Sequence, residues 1–393
     1  MVLRESQKKP TFFIGLTIFF LLSLILLQRN HDPLRQTEVN TPEGASSNRV
    51  TKERTTAFPA IKQTRLPEAS LKALQNQTLG FEKIYVINLP KRTDKLDAIR
   101  LSASVTGFNF EVIAGQNGAN MSPKALPGPF KDSPGHDAIV GCWRSHMQAA
   151  HNIVNNRLSS ALVFEDDSDW DISFRSQLVN FALGSQWLLN TPSGATPHSP
   201  YGDGWDLLWL GHCALAPIKD DPRRVLFEND PSTTPFNHRF NLGEIPDMAH
   251  YDNTTRIMYT SDGGTCLYAY ALSYRGAQKI LFYLSMSYYH GPVDFGIHDM
   301  CHDDSRAFRC IGVFPQIVDS HRGAGSSSKD SDISKGDEVD RKKGFSFNIV
   351  RSTRLNVEHL IDGQLSKIES QWPGEVPELE GPVKVSFRET FEH

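Results

Sequence analysis

Between Phe81 and Val318 the chain alternates short β-branched or aromatic runs with segments whose apolar residues recur at helical spacing, and this alternation constrains its fold most. Ile84-Tyr85-Val86-Ile87-Asn88-Leu89 has the length of one strand and is broken by Pro90. Thr93 is placed to cap a helix carrying Leu96, Ile99 and Ala103, and Phe110 to Ala114 reads as a second strand. Val140, Trp143, Met147, Ala150 and Val154 then form the apolar stripe of a helix leading into the strand Ala161-Leu162-Val163-Phe164. Further strands are predicted at Asp206–Leu210, Thr265–Tyr270 and Ile311–Val318, where Pro315 suggests a sheet edge, with a helix capped by Ser273 after the second of them. Such alternation predicts an α/β layered fold with a mostly parallel sheet and a ligand site beyond the carboxyl ends of its strands.

The flanks of this region have a different character. Thr11 to Leu27 is an uninterrupted apolar run preceded by Arg4, Lys8 and Lys9. Its length spans roughly 25 Å as a helix, enough for a thin bilayer, and no small-x-small cleavage site follows it. The basic flank predicts a type II signal anchor: residues 1–10 as a cytoplasmic tail, 11–27 across the membrane, and 28–80 as a polar lumenal stem. Sequons at Asn76, Asn120 and Asn253 are compatible with a lumenal placement. A catalytic domain is expected over 81–325, and the Ser-, Lys- and Gly-rich segment 326–393 reads as a peripheral tail.

Charge and cysteine content exclude some functions. The 41 basic and 45 acidic residues are mixed along the chain and leave a net charge of -4, so no basic stripe is available to track nucleic acid. Five cysteines without CxxC spacing suggest neither a zinc ribbon nor a disulfide framework. Cys301 and Cys310 are the expected pair, and Cys142, on an apolar helix face, is expected to be a buried thiol.

Chemistry concentrates at Glu165-Asp166-Asp167, directly after a buried strand, with Asp169 and Asp171 close behind. Adjacent carboxylates repel one another unless a cation or a proton compensates, and a hard divalent ion such as Mn²⁺ or Mg²⁺ prefers oxygen ligands. Transfer of a sugar from a nucleoside diphosphate calls for such an ion, because charge builds on the departing diphosphate.

Taken in order, Ile84 to Lys95, Gly141-Cys142-x-x-Ser145-His146, Leu162 to Asp167, Thr265 to Ala277 and Pro292-Val293-Asp294 resemble glycosyltransferase family 25. That family includes bacterial lipooligosaccharide galactosyltransferases and animal procollagen galactosyltransferases. The resemblance implies a GT-A-type Rossmann-like fold, a UDP-sugar donor, Mn²⁺ dependence and inversion at the anomeric carbon. It implies donor-side roles for Asn88, Arg92, Lys95, Ser145 and His146. Asn117 stands where the family usually has a carboxylate, which weakens a ribose contact there. Metal ligation is expected of Glu165, Asp166 and Asp167, completed by His321, with Arg322 and Lys329 near the phosphates. For the base that takes the acceptor proton, Asp294 is the first candidate, with Asp262 and His298 in reserve.

The resulting expectation is a hexosyltransferase of the Golgi or endoplasmic reticulum membrane that moves galactose from UDP-galactose onto a glycan or glycoprotein acceptor. Two alternatives stay open: UDP-glucose or another UDP-sugar as donor, and a transferase-like protein without catalysis that serves adhesion or scaffolding.

Overall fold

The structure is a computed structural model that describes residues 62–128, 130, 136–243, 251–333, 338–376 and 382–390. The expected anchor at 11–27 lies outside the described residues. Among the described residues no helix is long and apolar enough to cross a membrane.

The helices are α1 (Glu68–Leu74), α2 (Thr93–Thr106), α3 (His136–Asn155), α4 (Phe174–Leu188), α5 (Tyr274–Leu281), α6 (Val293–His302) and α7 (Val357–Ile361). The strands begin with β1 (Lys83–Asn88), β2 (Glu111–Ala114), β3 (Ser160–Glu165), β4 (Ser168–Trp170) and β5 (Leu207–Gly211). They continue with β6 (Ala214–Pro217), β7 (Arg224–Glu228), β8 (Arg256–Thr265), β9 (Ala269–Ser273) and β10 (Cys310–Phe314). Last come β11 (Val318–Arg322), β12 (Gly325–Ser326), β13 (Asp340–Arg341), β14 (Phe345–Ser346) and β15 (Lys384–Arg388).

Ten strands form one sheet in the order β15-β7-β8-β10-β5-β9-β3-β1-β2, with β6 paired to β8. β1 runs parallel to β2 and β3, and β5 parallel to β10. Antiparallel pairing reverses β8, β9 and β15 against the other seven, so the sheet is mixed in its pairs and mostly parallel in direction.

Side-chain alternation along the central strands feeds two cores. On one face Tyr85, Val163 and Trp209 pack with Trp143 and Met147 of α3, Ile280 of α5 and Ile297 of α6. On the other, Ile84, Val86, Leu162 and Phe164 pack with Ile99 of α2 and with Phe174, Leu178 and Phe181 of α4. Burial on both faces explains why β3 reads as a continuous apolar run; each such side chain contributes about 1.5–3 kcal/mol.

Five expectations need correction. Thr265–Tyr270 is not one strand: β8 ends at Thr265, Cys266 turns the backbone at φ 59°, and β9 starts at Ala269. Pro315 marks no edge, because β10 lies between β5 and β8, and the chain leaves it through the cis Phe314–Pro315 bond to reach β11 in another sheet. The expected stem is packed against the domain over its last part, where Leu74 and Leu79 are buried. A second disulfide, Cys213–Cys266, joins Cys301–Cys310. The segment after residue 326 is also built into the domain. β14 pairs with β11 and β11 with β4 in a three-stranded sheet beside the acidic loop, and β15 extends the main sheet. Ser346, Ser352 and Thr353 are buried there.

Candidate functional site

β1 and β3 run side by side, Ile87 opposite Glu165, so their carboxyl ends deliver Asn88 and the acidic loop to the same place. Asn88 Nδ2 donates to Asp166 Oδ2 at 2.8 Å and to the Arg92 carbonyl at 3.0 Å, which ties the β1–α2 turn to the loop. Lys95, one turn into α2, places Nζ 3.1 Å from Asp166 Oδ1. Arg322, at the end of β11, lies 3.1 Å from Asp167 Oδ2. Arg354 crosses beneath the loop and donates to the carbonyls of Asp166 (2.7 Å) and Ser168 (3.0 Å).

Three cations therefore surround two carboxylates. Burial would push Asp167 up, but Lys95, Arg322 and Arg354 outweigh it and hold the carboxyl below its usual range. For Asp166 burial prevails over Lys95 and Asn88, and its carboxyl is raised. Lys95 is raised in turn, since the two carboxylates overcome the cost of its burial.

The remaining carboxylates of the run have other work. Asp169 is fully buried and accepts from the backbone N–H groups of Trp170 and Arg354 and from the hydroxyls of Ser346 and Ser352. Asp171 accepts from the Ser173 N–H and hydroxyl and from the Arg351 N–H. Glu165 turns the other way, 3.3 Å from His146 Nε2, while His146 Nδ1 meets the Tyr270 hydroxyl at 2.8 Å. Burial raises the Cys142 thiol well above its ordinary value, helped by the charges of Glu165 and Asp294.

The expected four-residue metal shell is not assembled. Among the described residues, the one group of three or more His, Cys, Asp or Glu ligand atoms within 4.8 Å of one another is Cys142, His146 and Glu165. His321 does reach the acidic loop through its backbone, its N–H donating to the Asp167 carbonyl at 2.7 Å. Its ring, however, is held by Ser346 at 2.9 Å, and burial pushes its pKa down to about 4. Asp166 and Asp167 remain as oxygen donors that suit a hard cation, each already paired with a protein cation.

Other expected residues are structural in part. Arg92 pairs with Asp94 and Asp332 and donates to the Lys329 carbonyl, so the end of the β12 region occupies its guanidinium. Ser145 accepts from the Gln116 N–H at 2.9 Å and donates to the Gly141 carbonyl at 2.7 Å. A Cβ on Gly141 would stand 2.4 Å from the Gln116 carbonyl oxygen, so the Gly141/Ser145 spacing is first a docking device between α3 and the loop after β2. Exposed Asn117 caps a short turn through the Ala119 N–H. Asp294 accepts from the N–H groups of Cys266 and Phe295, bracing α6 against the turn between β8 and β9. Asp262 pairs with His302 at 3.1 Å, and His298 stacks on His302. Arg354, Ser346 and Tyr270 were not foreseen as site residues; the first two lie in a stretch without periodicity, and Tyr270 sits in an ordinary strand pattern.

A mostly parallel α/β sheet with charged side chains gathered at its strand ends is consistent with a Rossmann-like glycosyltransferase domain. Residues 81–186 match the family model described as Glycosyltransferase family 25 (LPS biosynthesis protein). Residues 81–186 thus carry the glycosyltransferase family 25 pattern. It is similar to procollagen galactosyltransferase 1 of Danio rerio, 22% identical over 297 residues that cover 69% of this chain and 42% of the relative. It is also similar to inactive glycosyltransferase 25 family member 3 of Homo sapiens, 27% identical over 153 residues, 36% of this chain and 24% of that protein. A third relative, procollagen galactosyltransferase 2 of Mus musculus, is 24% identical over 112 residues, 26% of this chain and 18% of that protein. The chain thus spans less than half the length of these curated relatives.

Proposed function

We propose that this protein transfers a hexose, galactose from UDP-galactose, onto a glycan or glycoprotein acceptor in the lumen of the Golgi or endoplasmic reticulum, anchored by residues 11–27. The observation that carries the reading is the cation-lined carboxylate pair: Lys95, Arg322 and Arg354 converge on Asp166 and Asp167 where β1 and β3 end. Buried cations fixed in advance stabilise charge that develops on a departing diphosphate without reorganising. Galactose comes from the printed names of two relatives.

In this reading residues 81–325 supply most of the catalytic unit, and Arg354 from the segment after them completes it. The acceptor oxygen attacks the anomeric carbon, the bond to the diphosphate breaks on the opposite face with inversion, and the hydroxyl proton passes to a carboxylate, Asp294 first and Asp262 second. Lys95 and Arg322 take up the phosphate charge, and Asn88 holds Asp166 in place. A Mn²⁺ or Mg²⁺ ion held by Asp166 and Asp167 would add further neutralisation of the diphosphate.

The test is release of UDP by the purified full chain across a panel of UDP-sugars, with Mn²⁺ and with chelator. Turnover of UDP-galactose that falls on chelation supports the proposal, whereas preference for UDP-glucose keeps the enzyme and changes the donor. A second reading, a transferase-like protein without catalysis, is favoured by the relative named inactive. Absence of turnover with every donor, together with absence of UDP binding, would establish it.

A further inference from the structure

We propose that Cys142, His146 and Glu165 form a second metal site, suited to a borderline divalent ion of the zinc class and separate from the Asp166–Asp167 pair. Cys142 and His146 are four residues apart on α3 and so share one helix face, one turn apart. Glu165, the last residue of β3, reaches the same point from the sheet. The three ligand atoms lie within 4.8 Å of one another. Zinc ligands at about 2.0–2.3 Å from the ion stand roughly 3–4 Å apart, so closure requires side-chain shifts of about 1 Å.

The surroundings match those of a metal-binding histidine. His146 is 2% exposed, and its Nδ1 is engaged by the Tyr270 hydroxyl, which orients Nε2 toward Glu165. An outer hydrogen bond of this kind fixes ring orientation at metal centres. The thiol, imidazole and carboxylate set combines soft and hard donors, which zinc accepts and which Mg²⁺ does not favour. The Glu165 side chain pairs with His146, and the Asp294 carboxylate adds a further negative charge acting on Cys142. The Asp166–Asp167 pair, in contrast, already has Lys95, Arg322 and Arg354. Glu165 is 27% exposed, so three protein ligands would leave a fourth position open to water or to a substrate oxygen.

This proposal stands whether or not the protein transfers sugar, and its test needs no turnover. The purified full chain is loaded with zinc, dialysed and assayed for bound metal, alongside Cys142→Ser, His146→Ala and Asp167→Asn. One zinc per chain in the wild type and in Asp167→Asn, with loss in the other two variants, is the expected result. Cobalt loading should give a thiolate charge-transfer band that Cys142→Ser abolishes. Variant misfolding is bypassed in the wild type. Cys142 is the single cysteine outside the two disulfides, so zinc should slow its alkylation roughly tenfold, and a chelator should restore the rate. A wild type that retains no zinc, zinc retained in Cys142→Ser, or zinc lost in Asp167→Asn alone would overturn the proposal.

Discussion

Glu165 and Asp167 are two residues apart in the chain and face opposite surroundings. Asp167 looks toward α2 and β11, where buried cations hold its charge; Glu165 looks toward α3, where a thiol and an imidazole wait beside it. A run of carboxylates is therefore not one chemical unit. The strand end fans its side chains to different neighbours, and each carboxylate takes its role from what it meets.

The most severe way to break the contrast is to remove the cation beneath the loop. Arg354→Met leaves Asp166, Asp167 and Asp169 short of a buried counter-charge and is expected to cost about 3–5 kcal/mol, read by urea denaturation. An unchanged midpoint would show that the loop does not depend on it. Next, Asp167→Asn should lower UDP release roughly 100-fold while the protein still folds, with some loss of stability because three cations lose a partner. Equal activity in this variant and the wild type would remove Asp167 from the donor site. Glu165→Gln keeps a hydrogen-bond acceptor for His146 and breaks no cation pair, so its stability should stay within about 1 kcal/mol of wild type. A loss as large as that of Arg354→Met would erase the distinction between the two sides. Smallest of all is Lys91→Gln: its contact with Asp332 is 3.2 Å long but the lysine is 71% exposed, and a shift below about 0.5 kcal/mol is expected in the same denaturation assay.

Much of the fold was legible because its core strands carry their signal locally. β1, β3 and the α3 stripe are apolar at the right period, and Ser273 caps α5 through the Gly276 N–H. What was illegible depends on distance in the chain. Nothing near Arg354 announces that it will lie under Asp166, 188 residues earlier. The Cys213–Cys266 pair was hidden for the same reason, its partners being 53 residues apart with β6, β7 and β8 between them. Local pattern also misled where it ran through a turn. Thr265 to Tyr270 looks like one strand because both flanks are β-rich, and the left-handed residue between them is a cysteine where a glycine or asparagine is more usual. At the site, the residue types were readable from the acidic run, but their separation into two facing groups follows from which way each side chain leaves the strand end.

The bond from Arg354 to the acidic loop also sets a schedule for synthesis. The ribosome delivers Asp166 first and the guanidinium 188 residues later, which at about 5–20 residues per second is a delay of roughly 10–40 s. During that interval the strands β1, β2 and β3 have been made, while the loop they present lacks Arg322 for the first 155 residues after Asp167 and Arg354 to the end. The nascent domain thus passes through a stage with one end of its sheet made and the charges of the loop unbalanced, and the last fifth of the chain closes the site.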